Sequence, residues 1–274
     1  MDLRKFVLEL SVNDDQGKLR TSPALGALMH GLLMDVAGSD RLHSGTNGAR
    51  PYSQYLSRIS DETYLWIINV LDTYQCASIL DWLEKGDSNL FLKHYQLELQ
   101  IVSITEEYSG TYAEFMQGHL SEIPPKFLNL QFKTPTAFKL ASSGNYCMWP
   151  EPRLIAQSAL RRWNTFSQTA SFQDPEILED ISQNVHVQSY NLRSRGIAMD
   201  GTHFSGSIGQ IAFYLHRNTA VRQVFNLACA YSEFCGLGIK TAMGMGACGY
   251  SLRRFNKFSR NSLEQSDRRS PIHA

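Results

Sequence analysis

The chain has 274 residues, 43% of them hydrophobic and 11% aromatic, and its 26 Lys and Arg balance 26 Asp and Glu. That apolar content can bury a sizeable core in one large domain or two of ordinary size, while zero net charge excludes a global attraction to nucleic acid, so any polyanion site has to be local. Five cysteines without a CxxC pair, Cys76, Cys147, Cys229, Cys235 and Cys248, argue against a disulfide framework or zinc site and fit a reducing cytoplasm; no apolar run nears the roughly 20 residues of a membrane span, and residues 1–12 are too short and too charged to be expected to act as a signal peptide.

Residues 6–12 alternate, with Leu8, Leu10 and Val12 on one side, which predicts a half-buried strand. Ser22 and Pro23 suit the N-cap and first position of a helix whose apolar face is Leu25, Leu28, Met29, Leu32, Leu33 and Val36. His30 lies about 130° from the centre of that face and is expected to look towards solvent or a groove. Gly38 ends the helix. The loop over residues 39–51 is long for a compact domain and carries His43, Arg41 and Arg50, which marks it as a candidate functional loop. Residues 52–59 and 62–71 predict two strands, and residues 73–84 a helix with Ile79, Leu80 and Trp82 in the core. Residues 95–104 predict another strand. Strand, helix, strand, strand, helix, strand is a ferredoxin-like unit, assigned to residues 1–122.

Ile123-Pro124-Pro125 is the clearest linker signal, because successive prolines fit neither a helix interior nor a central strand. Beyond it, residues 126–274 form the second unit. Strands are expected over 127–132 and 136–140, and a helix over 150–166 with Pro152 near its start. Further strands fall over 185–192 and 206–215, then a helix over 219–234 and a last strand over 246–252. Residues 168–184 are polar and weakly patterned, and no element is assigned to them. The second half repeats the first in outline. The fold expected is therefore α+β, with two tandem ferredoxin-like (βαββαβ, RRM-like) domains and a C-terminal glycine-rich loop.

That loop, EFCGLGIKTAMGMGACGY over residues 233–250, gathers Gly236, Gly238, Gly244, Gly246 and Gly249. Glycine backbone can lie close to a ligand and offer N–H groups to phosphate oxygens, and Lys240 beside Thr241 adds a cation. It is no nucleotide-binding P-loop: Ile239 rather than glycine precedes Lys240, and the helical run precedes the loop instead of following it. The same glycines also suit a tight helix-to-strand connection. Past it, residues 251–274 hold Arg253, Arg254, Lys257, Arg260, Arg268 and Arg269 against Glu264 and Asp267, a second source of phosphate contacts or a solvated tail.

Four pieces in this order, LHSGTNGARPYSQYL, FKTPTAFKL, MWPEPRLI with RRWNTF, and GLGIKTAMGMG, give the chain a resemblance. It resembles the CRISPR-associated endoribonucleases of the RAMP superfamily that cut precursor CRISPR RNA within its repeats, from residue 25 to about residue 250, apart from residues 168–184. The resemblance implies metal-independent cleavage, in which the 2′-hydroxyl beside the scissile phosphate attacks and leaves a 2′,3′-cyclic phosphate and a 5′-hydroxyl. It implies that His43 is a general acid or base and that His30, on helix one, is its partner. Arg50 would stabilise charge where the family usually has lysine. Histidine suits such proton transfers because its pKa lies near neutrality, whereas arginine can stabilise charge but hardly move a proton. RNA contacts are implied for Gly236, Gly238, Lys240, Thr241, Gly244, Gly246, Arg253 and Arg254. Neither metal nor cofactor is implied, since the acidic pairs Asp14-Asp15, Glu106-Glu107 and Glu179-Asp180 lie in polar turns without a partner motif. The expected partner is CRISPR repeat RNA, with a CRISPR effector complex or a homodimer left open. The competing reading is a non-catalytic RAMP-type RNA-binding subunit of a CRISPR interference complex, which would differ at His43 and His30.

Overall fold

The computed structural model describes residues 3–12, 25–38, 49–86, 88–199, 201–216 and 218–253; the Ser22-Pro23 cap, His43, Arg254 and the basic tail after it lie outside the described residues. Strand β1 (Leu3–Val12) alternates as its sequence dictates, burying Phe6, Leu8, Leu10 and Val12. It runs inside a five-stranded sheet ordered β2 (Tyr52–Arg58), β3 (Thr63–Val70), β1, β5 (Leu97–Gly110), β4 (Asn89–Leu92), with every neighbour antiparallel. Without the short edge strand β4, this is the strand order of a ferredoxin-like unit. Helices α1 (Leu25–Ala37) and α2 (Ala77–Lys85) cover one face, where Met29, Leu32, Leu33, Ile79, Trp82 and Leu83 meet the apolar side of β1 and β3.

In this half two elements start two or more residues later than the sequence expectation. Helix α2 begins at Ala77 rather than at residue 73, because Asp72 Oδ1 accepts from the amides of Tyr74 and Gln75 and holds the preceding residues in a turn. The strand expected from residue 95 begins at Leu97, because Gln96 takes a φ of 53° in the turn from β4.

The second sheet is ordered β11 (Cys248–Arg253), β6 (Phe127–Thr136), β10 (Thr202–Leu215), β9 (Val185–Met199), the ferredoxin-like order again. Helices α4 (Pro152–Phe166) and α6 (Thr219–Cys235) close its core through Ile155, Trp163, Phe225 and Tyr231. A short hairpin, β7 (Phe138–Lys139) and β8 (Tyr146–Cys147), hangs from the end of β6. The unassigned stretch contains helix α5 (Pro175–Asn184), a polar helix that fully buries Ile181 and packs Ile177 and Leu178 against the core. Its start was nonetheless written in the chain: Asp174 caps the Glu176 amide and Pro175 takes the first turn.

Helix α3 (Tyr112–Leu120) was not expected at all. Its N-terminus carries a capping box between Thr111 and Glu114. Although it precedes the Pro124-Pro125 linker, its Tyr112 and Phe115 belong to the second core, and the Tyr112 and Tyr231 hydroxyls share a hydrogen bond of 2.9 Å. Among the described residues no helix is long and apolar enough to cross a membrane.

The two halves meet where α1 touches the glycine-rich segment. A Cβ added to Gly26 would lie 2.4 Å from the Met243 carbonyl oxygen and 2.9 Å from Gly244 Cα, while Gly244 itself has a φ of 87°. Backbone packed on backbone has no flexible atom to yield. Gly26→Ala is therefore expected to cost about 1–3 kcal/mol, read as a fall in melting temperature of about 3–10 °C. An unchanged melting curve would show that this junction is soft.

Candidate functional site

The spacing of α1 matches the spacing of β2. Gly26 and His30 are four residues apart on one face of the helix, a rise of about 6 Å, while Tyr52 and Gln54 are two apart on one face of the strand, about 6.6 Å. The two faces therefore form two rungs. On the first, the buried Gln54 donates from Nε2 to the carbonyls of Gly26 (2.8 Å) and Ala242 (3.0 Å) and accepts at Oε1 from Trp66 Nε1 (2.9 Å). On the second, the Tyr52 hydroxyl lies 2.9 Å from His30 Nδ1, and the two rings stack at 6.1 Å with planes 20° apart. His30 is thus half-buried and hydrogen-bonded, not simply turned outwards from the helix.

Tyr52 is 1% exposed and its hydroxyl also reaches Met34 Sδ at 3.9 Å. Burial pushes the phenol well above its ordinary pKa, against the opposing charge of nearby Arg50, so it stays protonated at neutral pH. A neutral hydroxyl can accept from Nδ1–H while donating to the sulfur, or donate to a bare Nδ1. It therefore supports the imidazole in either protonation state. Arg50 lies half-buried two residues before Tyr52, so His30, Tyr52 and Arg50 are gathered where β2 begins. Tyr52 had no signal of its own in the sequence; its partner is a helix residue 22 positions earlier.

The glycine-rich segment runs from the end of α6 through a 3-10 turn (Thr241–Met243) to β11. The amides expected to hold phosphate are already engaged. Leu237 donates to the Gly246 carbonyl (2.8 Å), Ile239 to Ala137 (2.9 Å) and Gly246 to Pro135 (3.0 Å), while Gly238 donates to Ser158 Oγ (2.7 Å). Gly236 and Gly244 close turns onto Ser232 and Thr241. Arg162 clamps the other polarity, donating from its two terminal nitrogens to the carbonyls of Gly236 and Gly238, both at 3.0 Å. A buried loop must satisfy its own backbone, and this one does so internally. Glycine is required for proximity: a Cβ on Gly238 would sit 2.0 Å from the Ala137 carbonyl oxygen.

What the segment presents outwards is Lys240, an exposed side chain in the left-handed region (φ 56°) with Nζ 5.6 Å from the Phe204 ring centroid. Thr241, beside it, is only 5% exposed. Arg253 ends β11 opposite Phe127, about 17 Å along the strand from Cys248, so its backbone is not beside the glycines. Among the described residues no group of three or more His, Cys, Asp or Glu side chains is arranged to hold a metal ion.

A family model for the CRISPR-associated endoribonuclease Cas6 matches residues 130–248. A CRISPR-associated endoribonuclease Cas6 from Mycobacterium tuberculosis (strain CDC 1551 / Oshkosh) is 26% identical over 247 residues, covering 89% of this chain and 77% of that protein. One from Streptococcus thermophilus is 23% identical over 224 residues, covering 81% and 89%. Among solved structures, a Cas6 (TTHB231) product complex superposes with a TM-score of 0.73 at 20% identity over 91% of this chain and all of that one. A Cas6 (TTHA0078) product complex gives 0.71 at 22% identity over 92% of this chain. These likenesses show the tandem ferredoxin-like fold, and in sequence the chain is similar to the CRISPR-associated Cas6 endoribonucleases over most of its length.

Proposed function

We propose that the protein cuts precursor CRISPR RNA within its repeats to release guide RNAs, using His30 and His43 as the acid/base pair and Arg50 as the cation on the reacting phosphate. The observation that supports this most directly is His30 held on buried Tyr52, one helical turn from the contact between α1 and the glycine-rich segment. One histidine takes the proton of the 2′-hydroxyl as its oxygen attacks phosphorus. The bond from phosphorus to the 5′-oxygen breaks, and the other histidine gives that oxygen a proton. The products are a 2′,3′-cyclic phosphate and a 5′-hydroxyl, with no water consumed. Tyr52 positions His30 by fixing Nδ1, which leaves Nε2 as the nitrogen for proton transfer. Arg50 stabilises the charge that builds on the phosphate oxygens. Lys240 grips the RNA backbone from the second half. The substrate, a fresh transcript, sets the reaction in the cytoplasm.

Cleavage of repeat RNA is expected to proceed in EDTA. His30→Ala and His43→Ala should each slow it about 10²–10⁴-fold, and Tyr52→Phe, which keeps the ring and loses one hydrogen bond, about tenfold. Single-turnover rates by gel check this. His30→Ala cutting at the wild-type rate removes His30 from the chemistry, and loss of activity in EDTA with recovery in magnesium replaces this mechanism by a metal-dependent one.

Lys240→Ala should weaken binding of every RNA tested and reduce the slope of log affinity against log salt by about 0.7–0.9. Fluorescence anisotropy across a salt series measures it, and an unchanged slope removes Lys240 from the phosphate contacts.

A further inference from the structure

Beside Lys240 the structure places an aromatic side chain that the proposed mechanism does not use. Tyr146, on β8, is 52% exposed and packs against Phe204 with ring centroids 5.6 Å apart and planes 68° apart. Phe204 is 8% exposed and carries Lys240 Nζ at 5.6 Å from its centroid. Across the hairpin, Tyr146 pairs directly with Lys139, whose side chain is also exposed. The exposed tyrosine therefore has one lysine as its cross-strand partner and shares the buried Phe204 ring with a second. The segments contributing the lysines and Tyr146 are free of acid: residues 131–149 contain Lys133 and Lys139 but no Asp or Glu, and residues 234–254 contain Lys240, Arg253 and Arg254 but none either. An exposed ring accompanied by two cations, on segments that carry no carboxylate of their own, matches the alternation of base and phosphate along a nucleic acid strand.

We infer that Tyr146, accompanied by Lys139 and Lys240, is a stacking site for an unpaired nucleotide of the bound RNA, outside the cleavage centre. This rests on the reading of the protein as an RNA-cutting enzyme. The nucleotide has to be unpaired, because a base inside a helix already has both faces covered by its neighbours. Stacking on one ring is tolerant of base identity, so the site adds affinity and register rather than sequence readout. The lysines hold the phosphates on either side of the stacked base.

The test uses the full chain and a repeat RNA methylated at every 2′-oxygen, which binds but cannot be cut by its own hydroxyl. Tyr146→Leu is expected to weaken binding about five- to a hundredfold without changing the salt slope. Tyr146→Trp should restore affinity to at least the wild-type level. Lys139→Ala should reduce the salt slope by about 0.7. Because Tyr146 is half exposed, all three variants should melt with the wild type. If wild type and Tyr146→Leu bind equally tightly, or Tyr146→Trp fails to rescue a loss, the stacking site is overturned and the enzyme reading stands. A Tyr146→Leu variant that binds RNA normally but no longer associates with a protein subunit also overturns it, in favour of a docking surface. If wild type does not bind repeat RNA at all, the functional reading falls and the stacking site with it.

Discussion

The matched spacing of α1 and β2 is the constraint on which the site depends. Four residues of helix and two of strand advance by nearly the same distance, so one pair of faces makes two contacts at once. Gln54 ties Gly26 to Ala242, and Tyr52 holds His30. The first rung joins the N-terminal half to the C-terminal half, and the second orients the imidazole. Because both are cut from the same helix and strand, the position of His30 relative to the glycine-rich segment follows from rigid elements. A loop could not fix it as well. The close approach of Gly26 to Gly244 allows the first rung to form, since a side chain at either would separate the backbones.

The glycine-rich segment has a different physical role from the one its composition suggests. The amides of Gly236, Gly238, Gly244 and Gly246, with those of Leu237 and Ile239, are spent on the Ala137 and Pro135 carbonyls, on Ser158, on α6 and on the segment itself, and the Gly236 and Gly238 carbonyls are held by Arg162. Glycine lets the chain fold tightly enough for these bonds to close. The result is a stiff knuckle that projects one cation, Lys240, instead of a flexible cradle of N–H groups. Both sequence readings of the segment therefore contribute: it is a compact helix-to-strand connection, and its outward charge remains suited to a polyanion.

Much of the fold was legible because most elements carry a clean period. Leu8, Leu10 and Val12 declare β1, and Met29, Leu32 and Leu33 declare α1. Helix α5 was hidden because it buries little, and α3 because its apolar residues serve the core of the other half. In the site, His30 and Arg50 were identifiable as chemistry-bearing residues. Tyr52 was not, since its role depends on a contact between residues 22 apart. Lys139 and Tyr146 were equally silent: a two-residue hairpin strand has no periodicity to detect. In each case the missing information was tertiary, a matter of which faces meet.

Photocrosslinking tests the central claim, that α1 and the glycine-rich segment act on the same stretch of RNA. A repeat RNA carrying a short-range photoreactive nucleotide beside the scissile phosphate would be irradiated in complex with the protein, and the attached peptides identified by mass spectrometry. Attachment both to the α1 and β2 residues around His30 and Tyr52 and to the segment around Lys240 is the predicted result. Attachment confined to one half of the chain would contradict the account.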